Sequence, residues 1–345
     1  MSPAKQPTLP VPEGPVLVAG GAGYIGSHTA RLLRRCGVAT VVLDNLSTGH
    51  AELAHEGCER VDLGDTAGLA DVFARTKPKA VIHFAAKAYV GESVEDPAKY
   101  YLENVHYTWN LLQAMRTARC RDIVFSSSCA TYGEPQRIPI DEEHPQLPIS
   151  PYGRTKLHME HMMEDFSRAY GLRCAALRYF NAAGASQEGD LGEVHEPETH
   201  LIPLILATAL GKRAEIQVFG NDYDTPDGTC IRDYIHVEDL AEAHLRALVV
   251  LQRGTERLAC NLGTGTGFSV LEVIECVRRV TGRAVAARTV GRRPGDPARL
   301  VSGGTRAKDL LGWQPRRAEI TDIVGDAWRF LQRHPEGFRQ PVGTR

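Results

Sequence analysis

A glycine-rich turn at residues 20–26 constrains the fold of this chain more than any other stretch. It reads Gly-Gly-Ala-Gly-Tyr-Ile-Gly, follows the apolar run 16–19, and precedes a segment whose apolar residues recur at helical spacing. A buried strand that turns tightly into a helix brings backbone N–H groups and the positive end of the helix to a pyrophosphate. We therefore predict a dinucleotide site, with contacts from Gly20, Gly23, Tyr24, Ile25 and Gly26.

An acidic residue after the next predicted strand favours NAD over NADP. Residues 38–43 read as a second buried strand that ends in Asp44, at about the ~20-residue spacing expected for the carboxylate that binds the adenosine ribose. Asp44 would repel a 2′-phosphate, and Asn45 and Leu46 beside it offer no cation. The alternative interpretation, an unrelated glycine turn with a solvated Asp44, explains the complete order of strand, turn, helix, strand and acid less well.

Composition narrows the class of protein. The chain has 345 residues, of which 43% are hydrophobic and 24% charged, and its net charge of −2 gives no electrostatic case for nucleic acid or an anionic membrane as a partner. The apolar run at 201–210 is too short to span a bilayer. Eight cysteines form no C-x-x-C pair or zinc-like cluster, so we expect reduced thiols, no structural metal and a cytoplasmic location.

Strand and helix patterns alternate along the first half of the chain. This order predicts an α/β fold with a doubly wound parallel (Rossmann) sheet, joined to a smaller α/β substrate-binding domain. We expect a loose tail over 1–14, an NAD-binding domain over 15–180 plus 236–270, and a substrate-binding domain over 181–235 plus 271–345. The individual elements include a short strand ending at 60–63, strands at 80–86 and 121–128, and helices over 97–119 and from 152 onward. His83, alone in an apolar strand, is predicted to be a core residue.

Three polar side chains predict redox chemistry at a carbinol. Tyr152 and Lys156 are four residues apart and share one helix face, and Ser128 ends a predicted strand. A phenol has a pKa near ~10 in water, and a neighbouring ammonium together with an oxidised nicotinamide would lower it into the working range. Serine would then hold the oxygen, tyrosine take the proton and nicotinamide take the hydride. A solvent-facing Tyr-Lys pair is the alternative, and His195 and His200 are interpreted as isolated loop residues without assigned chemistry.

Several motifs together resemble those of the extended short-chain dehydrogenase/reductase family, from residue 16 to about residue 335. Within that family the chain is most similar to the nucleotide-sugar 4-epimerases. The matching pieces, besides the glycine turn, are Leu-Asp-Asn-Leu at 43–46, Val-Gly-Glu-Ser at 90–93, Ser-Ser-Ser at 126–128, Ser-Pro-Tyr-Gly-Arg-Thr-Lys at 150–156, Arg-Tyr-Phe-Asn at 178–181, Phe-Gly-Asn-Asp-Tyr at 219–223, Arg-Asp-Tyr-Ile-His-Val at 232–237 and Arg-Pro-Gly-Asp at 293–296.

The resemblance implies a function and a set of site residues. UDP-glucose and UDP-galactose would interconvert by transient oxidation at C4 and return of the hydride to the opposite face. Further cofactor contacts would come from Asn45, Asp62, Leu63, Phe84, Ala85, Ala86, Asn104 and Phe180, together with Tyr152 and Lys156. The UDP-sugar would be bound by Ser128, Tyr152, Asn181, Leu201, Val218, Phe219, Arg232, Arg293, Asp296 and Leu300. The resemblance also implies a homodimer through helices near 97–119 and 152–170.

The chain departs from the family pattern at three places. Ala88 stands where family members often carry a lysine, with Lys87 beside it, and Ala130 replaces a common threonine. Leu300 stands at the position that resembles the family's gate for N-acetyl groups. A 4-epimerase of a UDP-N-acetylhexosamine or UDP-pentose therefore stays open as an alternative. A 4,6-dehydratase would need an acid and a base where Cys129 and Ala130 stand, and a non-catalytic NAD-binding sensor would not need the catalytic trio.

Overall fold

The computed structural model describes residues 9–54, 57–293 and 295–338, so residues 1–8 of the predicted tail lie outside the described residues. The strands are β1 Val16–Ala19, β2 Thr40–Leu43, β3 Ala80–His83, β4 Asp122–Ser128, β5 Arg173–Tyr179, β6 Asn181–Ala183, β7 Ile216–Phe219, β8 Ile231–His236, β9 Arg257–Leu262, β10 Gly267–Ser269, β11 Ala287–Val290 and β12 Arg299–Leu300. The helices are α1 Tyr24–Arg35, α2 Ala51–Ala54, α3 Thr66–Thr76, α4 Val90–Glu95, α5 Pro97–Tyr100, α6 Tyr107–Thr117, α7 Pro151–Tyr170, α8 Leu201–Ala209, α9 Val237–Gln252, α10 Val270–Thr281, α11 Arg306–Leu311 and α12 Ile320–Arg333.

The main sheet is parallel and covered by helices on both faces, which confirms the predicted fold class. Its strand order, within the described residues, is β2-β1-β3-β4-β5-β9. Helices α1 and α9 pack on one face, and α3, α6 and α7 pack on the other. The order reverses beside β1, and ligands of such sheets bind outside the carboxyl ends of the strands, at this reversal.

Apolar runs explain why the central strands form. Every residue of β1 and β3 is buried, as expected of strands covered on both faces. Fully burying a valine or isoleucine side chain contributes about 1.5–3 kcal/mol. His83 belongs to this core, where its Nε2 lies 2.9 Å from the hydroxyl of Thr108, in line with its predicted role.

A smaller α/β unit follows the main sheet. Strand β8 pairs with β10, β12 and β6, and β7 pairs with β11 in a separate ribbon. Helices α8, α10 and α12 enclose an apolar core beside these strands, which is separate from the two cores on the faces of the main sheet. This arrangement places the carboxyl end of the main sheet next to residues from the second half of the chain.

The structure corrects two predicted elements. Residues 60–63 form no strand, and the chain there makes an isolated bridge between Leu43 and Glu59. The Asp62 carboxylate accepts from Gly64 N and the Asp65 carboxylate accepts from Gly68 N, so this stretch forms a turn and a helix cap. The predicted helix over 97–119 is divided, because a π-helical turn at Tyr101–His106 separates α5 from α6.

The sheets also bear on the predicted domain division, which stays a prediction. Strand β10 lies within the segment assigned to the NAD domain, yet it pairs with β8 of the smaller unit. Conversely, Ala307, Leu311 and Trp313 come from the segment assigned to the smaller domain but pack in the core beneath α9. These pairings link segments that the sequence assigns to different domains.

Two further observations concern the described chain as a whole. No helix in the described ranges has both the length and the apolar character required to cross a bilayer. All eight cysteines lie in the described ranges and are free thiols.

Candidate active site

The three predicted catalytic residues converge at the carboxyl edge of the main sheet. Ser128 ends β4, and its side chain accepts from Ala130 N at 3.1 Å. Tyr152 and Lys156 lie on the first two turns of α7, which begins because Ser150 caps it by accepting from Gly153 N at 3.1 Å. Ser128 is close enough to Tyr152 to act on the pKa of its phenol. The Lys156 ammonium is 2.8 Å from Ser126 O and 5.9 Å from the centre of the Tyr152 ring.

The electrostatics of the pair differ from the sequence-based expectation. Burial raises the pKa of Tyr152 to about 12, although Ser128 opposes this shift. Burial also lowers the pKa of Lys156 to about 7, while the Glu160 carboxylate opposes that shift. In the protein alone, desolvation therefore outweighs the stabilisation of a phenolate that the Tyr-Lys spacing predicts.

The glycine turn leaves room only for backbone. Gly20 has a φ of +77°, and a Cβ there would lie 2.6 Å from Ala85 N. A Cβ on Gly26 would lie 2.1 Å from Gly20 O. The helix that follows starts at Gly23 without a side-chain cap and has no acidic residue in its first turn. The amino end of α1 can therefore receive an anion.

The polar side chains predicted to bind the adenosine half are held by hydrogen bonds within the protein. Asp44 accepts from Ala22 N at 3.0 Å and from Leu46 N at 2.8 Å, which fixes its carboxylate beside the turn. Burial raises the pKa of Asp44. Asn45 donates to Asp62 at 2.5 Å, so the structure joins two predicted residues that are 17 positions apart. Leu63 follows them and is buried.

The loop after β3 is fixed to the sheet and to α7. Phe84 N and Ala85 N both donate to Ala19 O, at 2.8 and 3.0 Å. Asn104 uses its amide on the protein itself, because it accepts from Lys87 N at 2.7 Å and donates to Lys87 O at 3.1 Å and to Thr155 at 3.0 Å. Its observed contacts are those of a residue that positions the loop around Ala86.

Two predicted pairs are formed on the nucleotide-sugar side. Arg232 donates to the Asp296 carboxylate at 2.6 Å. The guanidinium of Arg293 stacks over the Phe219 ring, 3.8 Å from its centre. Leu300 pairs with Arg232 in the β12–β8 register.

The other predicted substrate residues are less closely grouped. Asn181 donates to Asp233 O at 3.0 Å. Leu201 begins α8, and Phe180 follows β5 and is half-buried. Val218 is buried in the apolar core of the smaller unit, so its role as a substrate contact stays a prediction.

A model of the NAD dependent epimerase/dehydratase family matches residues 16–263, which include the glycine turn, the three predicted catalytic residues and the main sheet. The chain belongs to this family. The match confirms the family resemblance noted in the sequence.

The chain is similar over nearly its whole length to other proteins of this family and to solved structures. UDP-glucose 4-epimerase of Rhizobium leguminosarum bv. trifolii is 51% identical over 91% of this chain and 96% of the relative. The crystal structure of UDP-glucose 4-epimerase from Brucella ovis in complex with NAD is 53% identical, with a TM-score of 0.89 over 91% of this chain and 97% of that chain. That of Bifidobacterium longum in complex with NAD+ and UDP is 37% identical, with a TM-score of 0.88 over 94% and 99%.

A buried ion pair behind the trio is a feature that sequence reasoning missed. Glu160 accepts from Arg178 Nε at 3.0 Å and Nη2 at 2.5 Å, and it also accepts from the hydroxyl of Ser127. Glu160 lies four residues after Lys156, so the Tyr152–Lys156 spacing continued by one helical turn could have revealed it. The pair fixes α7 against β4 and β5.

The two histidines that the sequence left as isolated residues are not isolated. The rings of His195 and His200 lie 5.2 Å apart, and both approach Glu193 and Glu198. The sequence does contain a signal for this cluster, because residues 193–200 read Glu-x-His-x-x-Glu-x-His. The predicted reaction needs none of these four side chains, so the spacing alone does not predict a site.

Proposed function

We propose that this protein catalyses NAD-dependent 4-epimerisation of UDP-glucose and UDP-galactose. The observation that carries the proposal is the position of Tyr152, beside Ser128 and at the carboxyl edge of a parallel sheet whose glycine turn opens at the same edge. High identity to UDP-glucose 4-epimerases over nearly the whole chain supports it.

The residues at the glycine turn fit NAD. Backbone occupies the space where side chains at Gly20 and Gly26 would lie, and the uncapped amino end of α1 suits a pyrophosphate. Asp44 is held by two backbone N–H groups, and its carboxylate retains acceptor capacity for ribose hydroxyls. We propose that Asn45, Asp62 and Leu63 line the adenine end.

The proposed chemistry begins and ends at the sugar C4 hydroxyl. Tyr152 removes the hydroxyl proton while Ser128 holds the oxygen, and Tyr152 returns that proton after the 4-keto sugar has turned over in the site. NAD, when bound, supplies the acceptor and later the donor of the C4 hydride, and its positive nicotinamide favours the phenolate. The reaction has no net change in oxidation state. When Lys156 is protonated, its ammonium places positive charge beneath the Tyr152 ring.

We propose that the diphosphate of the substrate is recognised by Arg232 and Arg293. Guanidinium groups match phosphate oxygens with paired N–H donors. Arg232 is held by its pairing with Asp296, and Arg293 is held by its stacking on Phe219, so both side chains are in fixed positions before a ligand arrives. Such preorganisation lowers the entropy cost of binding.

The sugar itself is the open part of the proposal. Leu300 lies in β12, in register with Arg232, so its side chain belongs to the same small sheet as a proposed substrate contact. A UDP-N-acetylhexosamine is therefore the second candidate substrate, with a UDP-pentose as a third.

The test is to incubate the purified protein with UDP-galactose, without added reductant, and to follow the 4-epimer by NMR. Conversion without net NADH is expected, and Tyr152→Phe should lose about 10²- to 10⁴-fold in rate. Tyr170→Phe, an exposed tyrosine at the end of the same helix, should keep full activity. An active Tyr152→Phe variant would contradict the assignment, and conversion of UDP-N-acetylgalactosamine alone would favour the second substrate.

We further propose that the protein forms a homodimer through the helices near residues 97–119 and 152–170. The first of these segments carries exposed apolar side chains, among them Leu102, which is 49% exposed, and Trp109, which is 44% exposed. Leu102→Glu should give a monomer in sedimentation velocity, whereas Leu271→Glu, on the distant α10, should leave the dimer intact. A monomeric wild type would contradict the proposal.

The cytoplasmic location also stays a prediction, and free thiols are typical of reducing compartments.

A further inference from the structure

Four potential metal ligands meet in the segment that leads into α8. Glu193, His195, Glu198 and His200 each offer one donor atom, and these four atoms lie within 4.8 Å of one another. The cluster is partly enclosed: the Glu193 side chain is only 6% exposed and those of His195 and Glu198 are 22% and 21% exposed, whereas His200, at 47%, faces solvent.

The distances between nitrogen and oxygen donors are those of a small coordination site. Glu193 Oε1 lies 3.1 Å from His195 Nδ1 and 2.8 Å from His200 Nδ1. The Glu198 carboxylate lies 3.7 Å from His195 Nδ1 and 3.0 Å from His200 Nδ1. Zinc bonds of 2.0–2.1 Å give a ligand–ligand edge of about 3.3 Å in a regular tetrahedron. The four separations in the structure lie on both sides of this value.

One nitrogen in the cluster is left without a hydrogen bond. His195 Nδ1 is buried, and in the described part of the chain it makes no hydrogen bond, although two carboxylates lie close to it. A proton on this nitrogen would need an aligned acceptor, whereas a cation at the centre of the cluster would bind the nitrogen and the carboxylates together. Imidazole and carboxylate donors in this number are typical of zinc and related divalent transition metals.

We propose that Glu193, His195, Glu198 and His200 form a binding site for one divalent transition-metal ion, with zinc as the expected occupant. The site goes beyond the proposed epimerase activity and does not depend on it. It would also correct our sequence-based expectation of no structural metal.

The position of the site defines its role. Its ligands end at His200, the residue before α8. The loop that precedes the cluster contacts the glycine turn, because the hydroxyl of Tyr24 donates to Gly184 O at 2.7 Å. His50 Nε2 lies 3.1 Å from Val194 O, within the cluster segment. A bound ion would therefore fix the loop that leads into α8 and that contacts the glycine turn.

Protons compete with the metal for the site. Imidazole and carboxylate groups bind a metal ion only in their deprotonated forms, so the affinity of the site should increase as the pH rises.

The experiment is a Co²⁺ titration of the full-length protein after removal of metals with a chelator. We expect one equivalent to bind with the intense visible absorption of a tetrahedral ion, and Zn²⁺ to displace it. His195→Ala and, separately, Glu198→Gln should weaken binding by roughly 100-fold or more, since each removes a direct ligand. The exposed His161→Ala on α7 should bind as the wild type does.

Folding is followed in the same samples, by circular dichroism and by the NAD content of each variant. Zn²⁺ should raise the melting temperature of the wild type and of His161→Ala, and should leave that of His195→Ala unchanged. A wild type that binds no Co²⁺, or a folded His195→Ala variant that binds it equally well, would overturn the proposal. Loss of binding in His161→Ala would indicate an adventitious surface ion and would also overturn it.

Discussion

The Lys156 ammonium lies 2.8 Å from the carbonyl oxygen of Ser126, beneath the Tyr152 ring and enclosed by the core. This contact places a charged group in a desolvated position that a single backbone oxygen and the more distant Glu160 only partly compensate. The same position determines how stability depends on pH.

Lys156 should make the protein more stable as the pH rises above 7. Burial lowers its pKa in the folded state to about 7, whereas a lysine in the unfolded chain has a pKa near ~10.4. The cost of burying the charge is fully present below pH 7 and is relieved between pH 7 and about 10, where only the unfolded state keeps the proton. The free energy of unfolding of the wild type, minus that of Lys156→Met, should therefore increase from pH 7 to pH 9 in urea titrations. Lys308→Met, at an exposed site, is the control, and a flat difference for Lys156 would contradict the prediction.

Glu160→Gln should destabilise the fold strongly. The substitution leaves Arg178 buried without its ion partner, and removing one partner of a buried pair costs about 3–5 kcal/mol. Glu164→Gln, which removes an exposed pair with Arg168 on the same helix, should cost less than about 1 kcal/mol. Urea unfolding of both variants measures the difference, and equal costs would show that the buried pair has no special importance.

Gly20→Ala should abolish NAD binding. Its Cβ would lie 2.6 Å from Ala85 N, so the turn and the loop after β3 would have to separate. Gly37 has the same φ of +77° but no atom within 4 Å of its added Cβ, so Gly37→Ala isolates the backbone strain, which costs about 1–2 kcal/mol. The measurement is NAD released per chain on denaturation. Full NAD content in Gly20→Ala would mean that the turn does not hold the cofactor.

Arg293→Ala should raise the KM for the UDP-sugar with little change in kcat. Loss of a hydrogen bond to a charged group costs about 1.5–3 kcal/mol, which corresponds to roughly a ten-fold to hundred-fold change. The neighbouring Arg292 pairs with Asp222 at 2.7 Å and stacks on Tyr223, so Arg292→Ala is the matched control. Steady-state kinetics with UDP-galactose distinguish the two, and an equal effect of both substitutions would argue against a specific role for Arg293.

The main sheet could be predicted from sequence because its signals are local. Four-residue apolar runs and the glycine turn specify β1, β3 and the start of α1 without reference to the rest of the chain. The stretch 60–63 misled the prediction because its apolar residues Val61 and Leu63 alternate as in a strand. The competing signal was turn chemistry, since Asp62 and Asp65 bond to backbone N–H groups a few residues on.

The less predictable parts of the site depend on contacts distant in sequence. Asn104 reads as a cofactor residue by resemblance, but its hydrogen bonds to Lys87 and Thr155 become visible only when three elements are assembled. The pKa of Tyr152 similarly depends on burial, which the spacing to Lys156 does not report.

The two sheets also bear on how this enzyme class can diversify. Ser128 and the residues of α7 proposed for catalysis belong to the main sheet and its packing, whereas Arg232, Asp296 and Leu300 belong to the small sheet around β8 and to the segment beside it. If Leu300 and Arg232 contact the substrate as proposed, substitutions in β12 can change which sugar is accepted while the residues proposed for proton transfer keep their geometry. Selection can explore new substrates in one half of the protein without risking the reaction carried by the other.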